Sequence, residues 1–365
     1  MLEGSEAIAK AVDLARPNVV AAYPITPQTH IVENLEKYAK DSKQYSFVQA
    51  DSEIAAASII LGASAVGARA YTATSSQGLL LMAETLYSLA GLRLPAVLTV
   101  ANRAISGPIN IWNDHSDAMA VRDSGWIMLF AQDAQEAIGL HIAAFSITEK
   151  TNIPVMVNVD GFLITHAIEG VKLPEKGKIT KFLGEKRKAD KENVLDTKDP
   201  LSIGTLFSPE HYGPYRREMA ANLDASKETI SAELVRYVKA ANQPPLGLFQ
   251  YYGSKSPEKI LVALGSIVGT IREAVLQQKE NRKIGIIAIT SFRPFPYQEI
   301  FKLCQRAKKI IVLEKVASSG PFGPLGQDIL AAGINAEKVK GVSVGLGGED
   351  VSAKKINEII SSIKI

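Results

Sequence analysis

Cysteine is almost missing: Cys304 is the only one in 365 residues. A disulfide within the chain is thereby excluded, as is a zinc or iron–sulfur centre held by this chain's cysteines alone. Charge of one sign is also lacking. Lys and Arg total 41 against 38 Asp and Glu, and the net +3 is too thin an excess to mark a nucleic-acid footprint. No uninterrupted apolar run approaches the ~20 residues that span a bilayer. The segment from Met1 to Val12 has neither the basic region nor the long apolar core of a secretory signal, so a cytoplasmic location is expected. There is no convincing internal repeat and no low-complexity tail. What is present is a hydrophobic content of 46%, enough to bury sizeable cores in two domains joined by a connector.

Strand and helix signals alternate in the manner of parallel βαβ units. The pattern predicts helix Ser5 to Leu14, strand Val19 to Ala22, helix Thr29 to Lys40, strand Tyr45 to Gln49 and an alanine-rich helix from Glu53 to Val66. Strand Arg69 to Thr74 then enters a polar turn, Ser75 to Gly78, before helix Leu79 to Ala90 and the buried strand "LPAVLTVAN". Strand Trp126 to Phe130, helix Ala134 to Thr148 and strand Val155 to Val159 complete an α/β domain over residues 1–175. Residues 176–256 read as an exposed, lysine-rich connector followed by a helix from Glu218 to Ala241. Alternation resumes over 257–365 with "KILVALGS", helix Val268 to Gln278, "KIGIIAITSFRPFP", strand Ile310 to Glu314 and the loop "SSGPFGPLG". Cys304, in "IFKLCQRAKK", reads as a core residue.

Ligands of open parallel sheets bind beyond the carboxyl ends of the strands, and three polar turns of the first domain lie there: Pro24 to Thr29, Asp51 to Glu53, and Ser75 to Gly78. Pro24 and Pro27 stiffen the first loop and hold the Thr26 hydroxyl in a limited set of directions. By itself that loop reads first as a rigid strand-to-helix turn, with Thr29 capping the next helix. Glu53 opens an apolar helix. Alone it is a solvated or capping acid, but a carboxyl turned into an apolar interior would hold or share a proton. Arg103, at the end of a buried strand, is either a salt-bridge anchor or a planar fork for a small carboxylate. "NIWNDHSD" brings His115 close to Asp114 and Asp117, but its spacing fits no standard metal site and reads as a loop hydrogen-bond network. No metal ligands are assigned on this chain.

"AAYPITPQT", "DSEIAAASIILGASAVGARAYTATSSQGLLLMAE", the segment from Arg103 to Trp126 and "GPLGQDI" occur in this order. Together they make nearly the whole chain resemble the α subunit of the multisubunit pyruvate:ferredoxin oxidoreductases. The resemblance implies a pyrimidine-binding thiamine diphosphate domain, a parallel sheet flanked by helices, followed by a smaller α/β domain similar to the transketolase C-terminal domain. It places Glu53 where the family's cofactor-activating glutamate lies. Thr26 matches the threonine that contacts the substrate carboxylate and Arg103 the arginine that helps bind it, while Ser76 and Gln77 fall near the cofactor. The implied reaction converts pyruvate and coenzyme A to acetyl-CoA, carbon dioxide and reduced ferredoxin.

Two absences then bear on partners. Thiamine enzymes commonly hold the diphosphate and its Mg2+ with a Gly-Asp-Gly motif, and this sequence has none. The resemblance therefore implies a β subunit carrying the diphosphate half-site, its Mg2+ and a 4Fe–4S cluster, with further clusters on γ- and δ-type subunits or domains. The chain alone is expected to be inactive. Another 2-oxo acid, branched-chain or 2-oxoglutarate, is the alternative substrate. A nucleotide-binding or structural module is the alternative of another class, with "LGSIVG" and "GLGGED" as the loops offered for phosphate, although both lack the dinucleotide fingerprint.

Overall fold

The computed structural model describes residues 1–184, 195–278 and 283–364. Its first sheet has seven strands in the spatial order Ser291–Arg293, Ile127–Phe130, Val155–Asp160, Val97–Asn102, Ala70–Thr74, Val19–Ala22, Ser46–Gln49. All neighbours run parallel except Ser291–Arg293, which is antiparallel to Ile127–Phe130. The two central strands, Val97–Asn102 and Val155–Asp160, are buried along their whole length, which is why they read as continuous apolar runs. Their register sets Asn102 directly beside Asp160 at the carboxyl ends.

Period-2 alternation divides the cores. Val20 and Ala22 face helices Gly4–Ala15, Thr29–Ser42 and Ala134–Thr151, whereas Ala21 faces helices Glu53–Ala65 and Ala83–Gly91. The second sheet has the order Val339–Ser343, Lys309–Glu314, Lys259–Leu264, Ile284–Ile289, Phe249–Gly253, with only the last strand antiparallel. Ile260 and Val262 belong to the core shared with Glu53–Ala65, while Leu261 and Ala263 face helices Ile267–Leu276 and Ala353–Ser362. One apolar layer thus continues from the first sheet to the second. Cys304 is buried in that layer, and burial pushes its thiol up to about 12.

Several expectations need correction. The second sheet starts at Phe249, ahead of Pro257, and residues just after Ile289 cross over to edge the first sheet. Phe292 anchors that crossing by packing edge-on against Phe130, ring centroids 6.0 Å apart. Lys176–Leu183 is not exposed connector but a helix that buries Ile179, Phe182 and Leu183. Phe182 packs edge-on against Tyr237 at 5.6 Å, and the Arg236 guanidinium sits 3.9 Å from the Phe182 ring. The center of the lysine-rich stretch, 185–194, lies outside the described residues. The helix predicted from Glu218 begins at Pro209, with proline at its first position. Thr29 does not cap its helix. Gln28 occupies the N-cap, and its amide donates instead to the Ala73 carbonyl at 2.7 Å. Among the described residues no helix is long and apolar enough to cross a membrane.

Glu136 lies where the two sheets meet. It accepts from the Gln132 backbone N–H at 2.7 Å and from the Gln250 amide at 3.1 Å, and burial pushes its carboxyl from 4.5 up to about 7. A raised folded-state value means that ionisation opposes folding. Stability is therefore expected to fall by an amount on the order of 3 kcal/mol as pH rises from 4.5 through 7, then to level off. Urea unfolding at pH 5 and pH 8 should show a smaller difference for Glu136→Gln than for the wild type.

Candidate active site

The strand ends Ala22, Thr74, Asn102 and Asp160 open onto one edge of the first sheet, and the segments that follow them build the site. Ser75, extended, precedes a helix that begins at Ser76, so the turn predicted at Ser75 to Gly78 is mostly helical. Ser76 has φ +48°, a left-handed conformation uncommon for a residue with a side chain. Its backbone N–H donates to Asp117 Oδ2 at 3.0 Å and its hydroxyl to the Ala104 carbonyl at 2.5 Å.

Asp117 is the hub. Oδ2 accepts from the N–H groups of Ser76 and Arg103, each at 3.0 Å, and Oδ1 accepts from Asn102 Nδ2 at 3.0 Å and the Ala118 N–H at 2.7 Å. Burial pushes its carboxyl up to about 6 against the pull of those donors. The sequence grouped Asp117 with a loop network, and the network is present. Its role in tying the Ser76 turn to Arg103 had no sequence signal, because the partners lie 41 and 14 residues away.

Arg103 and Thr26 are brought together. Arg103 Nη1 donates to the Thr26 carbonyl at 2.9 Å and Nε to the Asn110 carbonyl at 3.0 Å. Nη2 has no hydrogen-bond partner among the described residues, and Thr26 is exposed, in a cis Thr26–Pro27 bond. A buried guanidinium with one nitrogen unpartnered, tied to the exposed Thr26 loop, is a donor set for a small carboxylate.

Glu53 starts its helix behind the Ser52 cap, whose side chain accepts from the Ala55 N–H at 3.3 Å. It is 8% exposed, and no group among the described residues hydrogen-bonds its carboxylate. Gly78 leaves room for it: a Cβ there would lie 2.7 Å from Glu53 Oε1 and would also collide with the Thr74 hydroxyl. Beside Gly78, Gln77 Nε2 is buried without a hydrogen-bond partner, as is Thr74 Oγ1. A buried acid, a buried donor and a missing side chain therefore share one place, which suits a polar heterocycle. The structure places Glu53 against Gly78, and Thr26 against Arg103.

The two glycine loops offered for phosphate are engaged within the chain. Gly265 approaches Asp160, whose Oδ2 accepts from the Ser266 N–H at 3.1 Å. Asn110 Nδ2 donates to the Gly347 carbonyl at 3.0 Å, and the Gly348 N–H donates to the Asn113 carbonyl at 2.9 Å. The "NIWNDHSD" segment thus docks on "GLGGED". In the loop "SSGPFGPLG", Glu314 accepts from the Leu325 and Gly326 N–H groups at 2.8 and 3.2 Å, occupying that helix N-terminus itself.

Residues 10–233 match the family described as "Pyruvate flavodoxin/ferredoxin oxidoreductase, thiamine diP-bdg". The chain belongs to this pyruvate:ferredoxin oxidoreductase family. Residues 257–356 match its "Pyruvate:ferredoxin oxidoreductase core domain II". Among similar proteins, "Pyruvate synthase subunit PorA" of Methanosarcina barkeri is 39% identical over 100% of this chain and 92% of its own length. The protein of that name from Thermotoga maritima is 39% identical over 97% and 92%. "Ketoisovalerate oxidoreductase subunit VorA" of Pyrococcus furiosus is 33% identical over 100% and 93%. A solved "2-oxoglutarate:ferredoxin oxidoreductase from Magnetococcus marinus" superposes with TM-score 0.72 at 21% identity, covering 99% of this chain. The chain spans 64% of that protein, and the likeness shows the fold. As a family member this chain is an enzyme subunit with the family's thiamine diphosphate-binding domain, and it acts with partner subunits.

Proposed function

We propose that the chain is the α subunit of a pyruvate-specific 2-oxoacid:ferredoxin oxidoreductase, with residues 1–175 as its pyrimidine-binding domain, a linking segment that packs on it through helices Lys176–Leu183 and Pro209–Ala241, and a transketolase-like domain whose sheet begins at Phe249. The observation that carries the site assignment is the buried Glu53 carboxylate, without a protein partner among the described residues, facing the space left by Gly78. Thiamine diphosphate, when bound, supplies the carbon nucleophile and electron sink that decarboxylation of a 2-oxo acid requires. Glu53 would hold that group's pyrimidine ring and would serve as the acid and base beside it. Gln77 and Ser76 line the same pocket, with Gln77 Nε2 as a donor awaiting an acceptor. Thr26 and Arg103 receive the substrate carboxylate, and Asp117 keeps Arg103 and Ser76 in fixed relation.

The other half of the reaction belongs to partners. A β subunit supplies the diphosphate site, Mg2+ and a 4Fe–4S cluster, γ- and δ-type subunits or domains supply further clusters, and ferredoxin accepts the electrons. Cys304, buried in the apolar layer, offers this chain no cluster ligand set. Pyruvate is favoured as substrate by identities of 36–39% to the pyruvate synthase subunits against 33% to the ketoisovalerate subunit.

The assembled complex should reduce a low-potential dye in a reaction dependent on pyruvate and coenzyme A, and should use 2-oxoisovalerate and 2-oxoglutarate less well. The purified chain alone should show no turnover. Activity of the chain without other subunits would overturn the shared-site reading, and preference for a branched-chain acid would overturn the substrate.

A further inference from the structure

Outside the site described above, three segments far apart in sequence converge on one small group of ligating side chains. Glu3 ends the two-residue strand Leu2–Glu3, which pairs antiparallel with Ile168–Glu169. That pairing is pinned by the Gly4 N–H donating to the Ala167 carbonyl at 3.0 Å and by the Ser5 N–H and hydroxyl both donating to the Thr165 carbonyl at 2.8 Å. His30 is the second residue of helix Thr29–Ser42, four positions beyond Thr26. His166 follows the central strand Val155–Asp160 through the turn that contains Phe162.

One potential ligand atom from each of Glu3, His30 and His166 lies within 4.8 Å of the others. His30 Nδ1 is 2.7 Å from Glu3 Oε1, and the two imidazole rings are 4.8 Å apart. His166 is oriented from behind: its Nδ1 is 2.8 Å from the Thr165 hydroxyl, and its ring packs on Phe162 at 4.7 Å. If Nδ1 donates to Thr165, Nε2 is left bare, and a hydrogen bond from the far ring nitrogen is how proteins fix the tautomer of a ligating histidine. Phe162 in turn meets the Trp112 ring at 4.7 Å, tilted by 45°.

We propose that Glu3, His30 and His166 form a zinc site that staples the N-terminal strand to the Thr29–Ser42 helix and to the turn after the central strand. Two imidazoles and one carboxylate make up a common protein ligand set for zinc, with a further position left to solvent, and His30 is exposed. Mg2+ and Ca2+ favour all-oxygen sets, so the two imidazoles select against them. The three backbones are already held by the sheet pairing, the helix and the Thr165 turn, so closing the group around an ion needs side-chain movement only. The Thr26 to Pro27 loop leads directly into the His30 helix, and Pro27 lies against Gly161, so the staple also braces the rim of the carboxylate site.

The test uses the full-length chain, stripped with a chelator and titrated with ZnCl2. One zinc per chain should be retained after gel filtration, and the thermal midpoint should rise. His30→Ala and His166→Ala should each weaken binding by roughly tenfold or more, as expected for loss of a ligand. His211→Ala, an exposed histidine on the helix Pro209–Ala241, should bind like the wild type. Cobalt-loaded wild type should show the visible absorption of a four- or five-coordinate ion. Absence of that absorption, or zinc retained equally by the His30 and His166 variants, would overturn the site. The cobalt result decides the matter even if a variant misfolds.

Discussion

Replacing Glu53 with glutamine in the assembled complex is expected to reduce pyruvate-dependent dye reduction by roughly 10²–10⁴-fold, the range for loss of a positioned acid or base. The replacement keeps side-chain size, so the packing against Gly78 and the Ser52 cap should survive, and the variant should assemble. An amide still forms a hydrogen bond to a ring nitrogen, but it cannot deliver and recover a proton there. The loss should therefore appear mainly in kcat, with the pyruvate KM changed little. Arg103→Ala should do the reverse in part, raising KM, because it removes a binding group. If Glu53→Gln keeps its activity, Glu53 is a helix-start residue and the assignment of the pocket falls.

The second large effect is expected at the junction of the two sheets. Asp160 Oδ2 is 2.5 Å from Lys315 Nζ, and Oδ1 is 2.7 Å from His115 Nε2. Lys315 also donates to Asn113 at 2.9 Å and to the Ser266 hydroxyl at 3.1 Å. The side chains of Asp160 and Lys315 are 1% and 4% exposed, so little solvent screens the pair. Burial opposes ionisation of Asp160, but the Lys315 charge and His115 overcome it and hold the carboxyl far below its ordinary 3.8.

Asp160→Asn preserves shape and can keep neutral hydrogen bonds to His115 and Ser266, yet it strands the Lys315 charge. A cost of about 3–5 kcal/mol is expected in chemical denaturation. The double variant Asp160→Asn, Lys315→Met should recover part of it, since the stranded charge is gone. The sign with pH follows from the depressed carboxyl: the wild-type advantage is present above pH 3.8 and is lost as pH falls below it. Equal stability of Asp160→Asn and wild type at pH 7 would show that the pair does not hold the two units together.

Much of the first unit was legible. Strand Val19–Ala22 and the start of helix Glu53–Ala65 were read without error because buried parallel strands are apolar runs and helices carry caps. The misread segments share a cause. Lys176–Leu183 looked like connector because its lysines match its apolar residues in number and a lysine-rich stretch follows, and only distant helices, among them the one that carries Arg236 and Tyr237, give Ile179, Phe182 and Leu183 something to pack on. Ser291–Arg293 read as the tail of a second-sheet strand, since nothing local marks a change of sheet. Of the site, Glu53, Thr26 and Arg103 were nameable from motif resemblance, but the pairing of Arg103 with the Thr26 carbonyl spans 77 residues and has no local signature.

The sequence by itself determined the class of the fold, the family and the need for partners. Those follow from local periodicity and from motif order, which marks the family and through it the subunit character of the chain, and both are written along the sequence before any packing. Only the tertiary structure decided that Asp117 links Ser76 to Arg103, that Asp160 and Lys315 meet, and that the glycine loops dock within the chain. Such contacts depend on strand order and register, which fix side chains beside one another only after helices and sheets have packed.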